Sequence, residues 1–251
     1  MRFLILSDVH ANWEALQAVL RHVRRKRYDR VVFLGDAVGY GASPNQVLSW
    51  LQSLGPTVDI VRGNHDRVCS GLDPGDYFNR YAREATNWTF NRLDERNLEF
   101  LRAFPEGPIE IADGAAICHG ATFDEDAYIF SAYDARQAFE SLPHQIVFFG
   151  HTHVPTLFEM TWVDGHRSLN ARLLEGRRTV VDLEDGTRYL VNPGSVGQPR
   201  DRDPRAAYAL YDHDQRRVYH YRVPYRTAIA RRRILQAGLP PVLGDRLLHG
   251  A

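Results

Sequence analysis

The segment "FFGHTH", residues 148 to 153, sets two imidazoles one residue apart at the end of an apolar run. Comparable residues follow the other apolar runs: Asp8 and His10 after "RFLIL", Asp36 after "RVVFLG", Asn64, His65 and Asp66 after "VDIVRG", and His119 after "AAIC". Taken singly, each has a modest explanation, since a strand-end aspartate commonly caps a helix or bonds a turn amide. Taken together, four histidines, two aspartates and one amide form a set of metal donors. Mixed imidazole and carboxylate ligation suits first-row divalent ions, whereas thiolate sites want cysteines and magnesium or calcium want oxygen alone. Manganese, iron, nickel, cobalt and zinc all remain open. This set is too large for one tetrahedral zinc and suits two metals that share a carboxylate. The other histidines, His22, His144, His166, His213, His220 and His249, read as ordinary polar residues.

Such donors meet only if the chain carries the ends of its strands to one edge. Short apolar runs here alternate with helical patterns: a helix from Trp13 to about Lys26 with Asn12 as its cap, and one from Pro44 to Leu54 with Ser43 before it. A mostly helical stretch follows from about Asp76 to Ala103 with Asp94 as a restart, then a helix from Ala132 to Ser141. Between Thr156 and Leu210 the texture changes to alternating strands, with hairpin signals at Asp164-Gly165 and Asp185-Gly186. A βαβ-type first half thus joins an antiparallel second half. The expected class is α/β, a four-layer α-β-β-α sandwich of two mixed sheets flanked by helices. Ligands of open α/β sheets gather beyond the carboxyl ends of the strands. In extended chain, residues two apart point to one side, so Asp8 with His10, and His151 with His153, are each expected to aim two donors into one cleft.

The 251 residues, 44% hydrophobic and 25% charged, hold no low-complexity tract that marks a linker, and one domain is expected over 1–251, with a core to about 224 and a helical tail over 225–251. Thirty-one basic residues balance 31 acidic ones. No global field invites nucleic acid or a membrane surface, and neither is expected as a partner. The basic run "RHVRRKR", residues 21 to 27, reads as the solvated end of a helix. Two cysteines, Cys69 and Cys118, are too few for a disulfide framework, and no stretch approaches a membrane span. The protein is therefore expected in the cytoplasm, and self-association into a homo-oligomer is compatible with the sequence. Tyr77, Phe78, Tyr128 and Phe130 either line a nucleobase-sized pocket or belong to the core. The tail stretch "TAIARRRILQAGL" reads as an amphipathic helix packed on the chain itself.

The motifs "DVH", "GDAVGYG", "GNHD", "CHG" and "GHTH", in this order, resemble those of the calcineurin-like metallophosphoesterase superfamily. The stretch "NPGSVGQPRDRDPRAAYAL", from Asn192, is similar to the closing segment of its small bacterial and archaeal phosphodiesterases. The resemblance implies that Asp8, His10, Asp36 and His153 hold one metal and Asp36, Asn64, His119 and His151 the other, with Asp36 as bridge. It implies a hydrolase acting on phosphoester bonds of a small phosphorylated or nucleotide-like substrate, by way of a water whose pKa two ions bring near neutrality. His65, not itself a ligand in that pattern, is expected to stabilise charge on the phosphoryl group or protonate the leaving oxygen. Asp66 is expected either to orient that imidazole or to cap the helix that follows. In the protein phosphatases and symmetrical dinucleoside tetraphosphatases of this superfamily the second motif runs on to a phosphate-gripping arginine. Here Gly39 and Tyr40 stand at the aligned positions, which favours diesters over phosphoproteins. Arg67, Arg200 or Arg205 is then expected to supply a clamp from elsewhere, with Asn192 and Asp201 as further pocket residues. Dinucleoside polyphosphate hydrolysis is the nearest alternative. A non-catalytic scaffold of the same fold would be expected to lose metal ligands, and this chain keeps them.

Overall fold

The computed structural model describes residues 1–163 and 165–251. Two six-stranded sheets make up its centre. The first takes β1 (Arg2–Leu6), β2 (Arg30–Phe33), β3 (Val58–Ile60), β9 (Arg178–Asp182), β11 (Ala206–Asp212) and β12 (Arg217–Val223), in the order β3-β2-β1-β11-β12-β9. The second takes β4 (Ile109–Ala112), β5 (Ala115–Ile117), β6 (Ile146–Phe148), β7 (Thr156–Val163), β8 (His166–Leu173) and β10 (Arg188–Asn192), in the order β4-β5-β6-β10-β7-β8. Both sheets are mixed: β1 pairs parallel with β2 and antiparallel with β11, and β10 pairs parallel with β6 and antiparallel with β7.

The layering follows from the period-2 alternation of each strand. In β1, Phe3 and Ile5 face the second sheet and join Ile117, Phe148, Tyr189 and Val191 in a core between the sheets. Leu4 and Leu6 face outward and join the apolar stripes of α1 (Trp13–Val23) and α2 (Pro44–Ser53), together with Leu101 of α5 (Glu95–Arg102). On the far side, α6 (Ala132–Ser141) lays Ala135, Ala138 and Phe139 on Val147, Phe158 and Leu190. The result is the expected α-β-β-α order. The parallel strands β1, β2, β3, β5 and β6 all release the chain at one edge, and there the candidate residues lie.

The helices start where the sequence signals them. Asn12 caps α1 by accepting from Ala15 N, Asp94 caps α5 by accepting from Asn97 N, and α6 has the predicted bounds. Ser43 makes no side-chain cap. The mostly helical stretch expected over residues 76–103 is α4 (Arg80–Phe90) and then α5, which restarts after Asp94 as expected, while the short α3 (Asn64–Cys69) carries no signal in the sequence. The Asp185-Gly186 hairpin is a correction. This turn joins β9 at the edge of the first sheet to β10 inside the second, so it crosses between layers, because Val181 and Leu183 before it and Tyr189 and Val191 after it all face the core between the sheets. The other expected turn includes Asp164, which lies outside the described residues; β7 and β8 around it do pair antiparallel.

The tail forms α7 (Thr227–Gln236) and α8 (Pro241–Asp245), followed by a turn of 3₁₀ helix over Arg246–Leu248. Ala230, Ile234, Leu243 and Leu247 pack on Tyr40, Val68 and Phe78, so the tail closes over the second and third motifs. No helix among the described residues is long and apolar enough to cross a membrane.

His220 gives the fold a pH dependence. It is fully buried in β12, with Nε2 3.2 Å from Pro193 O, and burial lowers its pKa to about 4. The unfolded chain takes up a proton near 6.5 that the folded chain refuses until about 4, so stability is full above 6.5 and falls as pH drops through that window. The expected loss is up to about 3 kcal/mol, and His220→Gln should remove that share of the slope. Urea unfolding at several pH values, with and without the substitution, measures it.

Candidate metal centre

The loops that leave β1 and β2 run side by side, tied by Asp8 N to Gly35 O at 3.0 Å, His10 N to Asp36 O at 2.9 Å and Ala11 N to Ala37 O at 2.9 Å. The expectation that Asp8 with His10, and His151 with His153, project from extended chain is corrected. All four, and Asp36, have positive φ, between 47° and 65°. L residues take this left-handed region at a cost of about 1–2 kcal/mol each, so most of the candidate ligands sit on strained backbone held by the surrounding hydrogen bonds. The strain turns each side chain off the strand direction and into the cleft.

There they form two adjacent groups. Donor atoms of Asp8, His10, Asp36 and His153 lie within 4.8 Å of one another, and so do those of Asp36, His119 and His151. Asp36 belongs to both: its Oδ2 is 3.4 Å from His10 Nε2 and 3.6 Å from His119 Nε2, while Oδ1 accepts the backbone N–H of His65 at 2.9 Å. Asp8 Oδ1 stands 3.3 Å from His153 Nε2, and Asn64 Oδ1 lies 3.3 Å from His119 Nε2. All seven residues are buried.

The ring hydrogen bonds show what the cluster is built to hold. His10 Nδ1 meets Val38 O at 3.1 Å, His119 Nδ1 meets Leu34 O at 2.7 Å, His153 Nδ1 meets Gln198 O at 2.6 Å, and His151 Nε2 meets Asp126 O at 3.0 Å. A carbonyl only accepts, so each outer nitrogen must carry the proton and each inner nitrogen is left as a bare lone pair. These lone pairs face each other, His10 Nε2 to His153 Nε2 at 3.1 Å and His119 Nε2 to His151 Nδ1 at 3.1 Å. Two lone pairs at that distance repel unless a cation lies among them. Burial also holds His10, His151 and His153 below the ordinary imidazole pKa, which keeps them neutral and ligating. Burial and the neighbouring Asp8 push Asp36 well above the carboxylate range, and a bound cation relieves that cost as well. The donor set therefore fits divalent metal ions, and its orienting carbonyls hold each ring as metal sites commonly require.

The other candidates divide. His65 lines a cavity of about 250 Å³ with Asp36, Asn64, His151, His153, Tyr40, Tyr128 and Arg200. Its ring lies 4.9 Å from that of His10 and is packed between Tyr40 and Phe78. Asp66 does not orient it: the Asp66 carboxylate accepts from Gly63 N at 3.0 Å and Val38 N at 3.2 Å, and His65 Nδ1 has no partner among the described residues. Asp66 instead caps α3 and ties the loop before it to the loop after β2. Of the clamp candidates, Arg67 is held by Asp73, Glu125 and Asp126, and Arg205 by Asp203. Arg200 alone of the three lines the cavity. Asn192 is spent on Gly150 O at 2.6 Å and Thr152 Oγ1 at 3.0 Å, and Asp201 on Arg222, so neither lines it. Sequence reasoning missed Ser7, whose hydroxyl bonds Asp8, and Gln198, whose carbonyl orients His153. Backbone acceptors leave no residue-type signal.

The glycines of the motifs serve close approach. A Cβ on Gly63 would lie 2.1 Å from Asp36 Oδ1 and 2.5 Å from Asp36 N. Gly63→Ala is therefore expected to displace the shared carboxylate and weaken metal affinity by about 10–100-fold, read by manganese titration.

Residues 1–216 match the family model described as the calcineurin-like phosphoesterase superfamily domain. The chain is 34% identical over 253 residues to MJ0912, an uncharacterized protein of Methanocaldococcus jannaschii, covering 98% of this chain and 97% of that one. It is 29% identical over 150 residues to a symmetrical bis(5'-nucleosyl)-tetraphosphatase of Klebsiella pneumoniae, covering 52% of this chain and 53% of that one. Among solved structures, a metallophosphoesterase from Sphaerobacter thermophilus superposes over the whole of both chains with a TM-score of 0.85 at 36% identity. The chain belongs to the calcineurin-like phosphoesterase superfamily and is a phosphoester hydrolase of that metal-dependent family, with its buried histidine and aspartate cluster as the metal-binding site.

Proposed function

We propose that the protein is a phosphodiesterase with a dinuclear metal centre, one ion on Asp8, His10, Asp36 and His153 and the other on Asp36, Asn64, His119 and His151. The observation that carries this reading is the shared position of Asp36, whose Oδ2 faces a histidine of each group. Bound there, two divalent ions would supply Lewis acidity toward the phosphoryl oxygens and lower the pKa of an attacking water. The chain supplies the rest. His65 stands at the cavity wall beside the first group, placed to donate a hydrogen bond to a phosphoryl or leaving oxygen. Arg200 offers a guanidinium to a non-bridging oxygen. Tyr128 stacks on His151 at 3.9 Å between centroids and Phe130 stacks on Tyr128 at 5.2 Å, so an exposed flat surface borders the cavity and suits a base or other planar substituent.

The test is a chromogenic phosphodiester beside the matching monoester, with manganese and the other first-row ions in turn. The expected result is metal-dependent cleavage of the diester at about ten times the monoester rate or more. Cleavage of the monoester alone would contradict the diester reading, and silence with every ion would return the protein to a scaffold. A second reading, dinucleoside polyphosphate hydrolysis, is supported by the tetraphosphatase similarity over half the chain and is decided by nucleotide product analysis.

A further inference from the structure

Two arginines converge beside the metal centre with no carboxylate between them. Arg200 stands with its Cζ 5.8 Å from the centroid of the Tyr40 ring, and Arg246, from the tail, stands 5.9 Å from the same centroid. Among the described residues neither guanidinium has a carboxylate within ion-pair distance. What they share is the amide oxygen of Gln198, which accepts from Arg200 Nη2 at 3.1 Å and from Arg246 Nη1 at 3.4 Å. Two donor groups facing one amide fix its oxygen toward them. Gln198 is 1% exposed, and its Nε2, like Arg246 Nε, is buried with no partner among the described residues. Burial and Arg200 hold the Arg246 pKa below its ordinary value, the mark of a cation that lacks a counter-charge.

Like charges brought together in a half-buried place cost stability, and a neutral amide compensates poorly. The cluster is nonetheless fixed from several sides. The Gln198 carbonyl takes the His153 ring proton, Arg202 N donates to Gly250 O at 2.8 Å, and Leu243 and Leu247 seat the tail on the Tyr40 cluster. The single negative charge of a simple phosphodiester engages the metal centre and at most the Arg200 guanidinium, so this pair holds more positive charge than such a substrate uses. Arg246 also lies beyond the segment that matches the superfamily domain, so the tail brings its own residue to the site.

Resting on the reading of the centre as a phosphoester hydrolase site, we propose that Arg200, Arg246 and Gln198 bind a second phosphoryl group of the substrate. The natural substrate is then a nucleoside or dinucleoside polyphosphate. An inner phosphoryl group of such a compound carries two substituents, as a diester does, and its neighbour carries the charge this cluster lacks.

The test is calorimetric titration of the full chain, as purified with its metals, with methylenediphosphonate and with methylphosphonate. No turnover is needed, so failure to hydrolyse anything leaves the result readable. The diphosphonate is expected to bind at least about ten-fold tighter than the monophosphonate, and Arg246→Gln and Arg200→Gln are each expected to erase most of that preference. A wild type without the preference, or a preference that survives both substitutions, overturns the proposal. Gln198→Glu is an independent check, because it places a carboxylate between the two guanidiniums. It should raise the thermal midpoint and abolish the diphosphonate preference, and a variant that keeps the preference contradicts the assignment.

Discussion

Asp36→Asn is expected to lower kcat/KM by about 10³-fold or more and to lose bound metal, while leaving the fold intact. The substitution keeps the shape of the side chain. Its amide oxygen still accepts the His65 N–H that Asp36 Oδ1 holds at 2.9 Å. What disappears is the charge on Oδ2, which faces His10 Nε2 and His119 Nε2 at 3.4 and 3.6 Å. No other described residue stands in both donor groups. In the metal-free protein the sign reverses. Asp36 is a buried carboxylate beside the buried Asp8, and burial with that repulsion drives its pKa well up. Removing it should raise the thermal midpoint in chelator, as expected where a site gives up stability for function. Metal content, steady-state kinetics and a melt in chelator check the three parts.

His65→Gln carries the second large effect, about 10²–10³-fold in kcat with metal content unchanged. The imidazole belongs to neither donor group and lines the cavity against Tyr40 and Phe78. Burial first, and then Arg200, hold its pKa well below the ordinary value, so the free protein carries it neutral. In its proposed role as a placed donor to the phosphoryl group it makes little of the ground-state binding, so KM should move by a factor of about three or less. A fall in bound metal to match the fall in rate would make His65 a structural support of Asn64 instead.

The fold and the gathering of the candidate donors at one edge are legible in the sequence for one reason. Each candidate donor follows a short apolar run, and α/β topology gathers the ends of parallel strands at one edge. That rule places Asp8, Asp36, Asn64, His119 and His151 at one edge from the sequence alone. It could not supply the backbone geometry, because the left-handed φ at Asp8, His10, Asp36, His151 and His153 is imposed by tertiary hydrogen bonds and has no glycine to announce it. Nor could it separate Asp66 from His65, since a cap and an orienting carboxylate use the same residue type. The Asp185-Gly186 turn misled because a hairpin signal is local, while the sheet each flanking strand joins depends on the core between the sheets. Arg246 was invisible for the opposite reason: it is one arginine among many in a tail whose path over Tyr40 only packing decides.

A pair of metal ions held in common by Asp36 is tested most directly by electron paramagnetic resonance of the protein titrated with manganese. Two equivalents bound per chain, with an exchange-coupled spectrum that Asp36→Asn converts to that of isolated ions, is the predicted result. Saturation at one equivalent, or two ions without magnetic coupling, would contradict it.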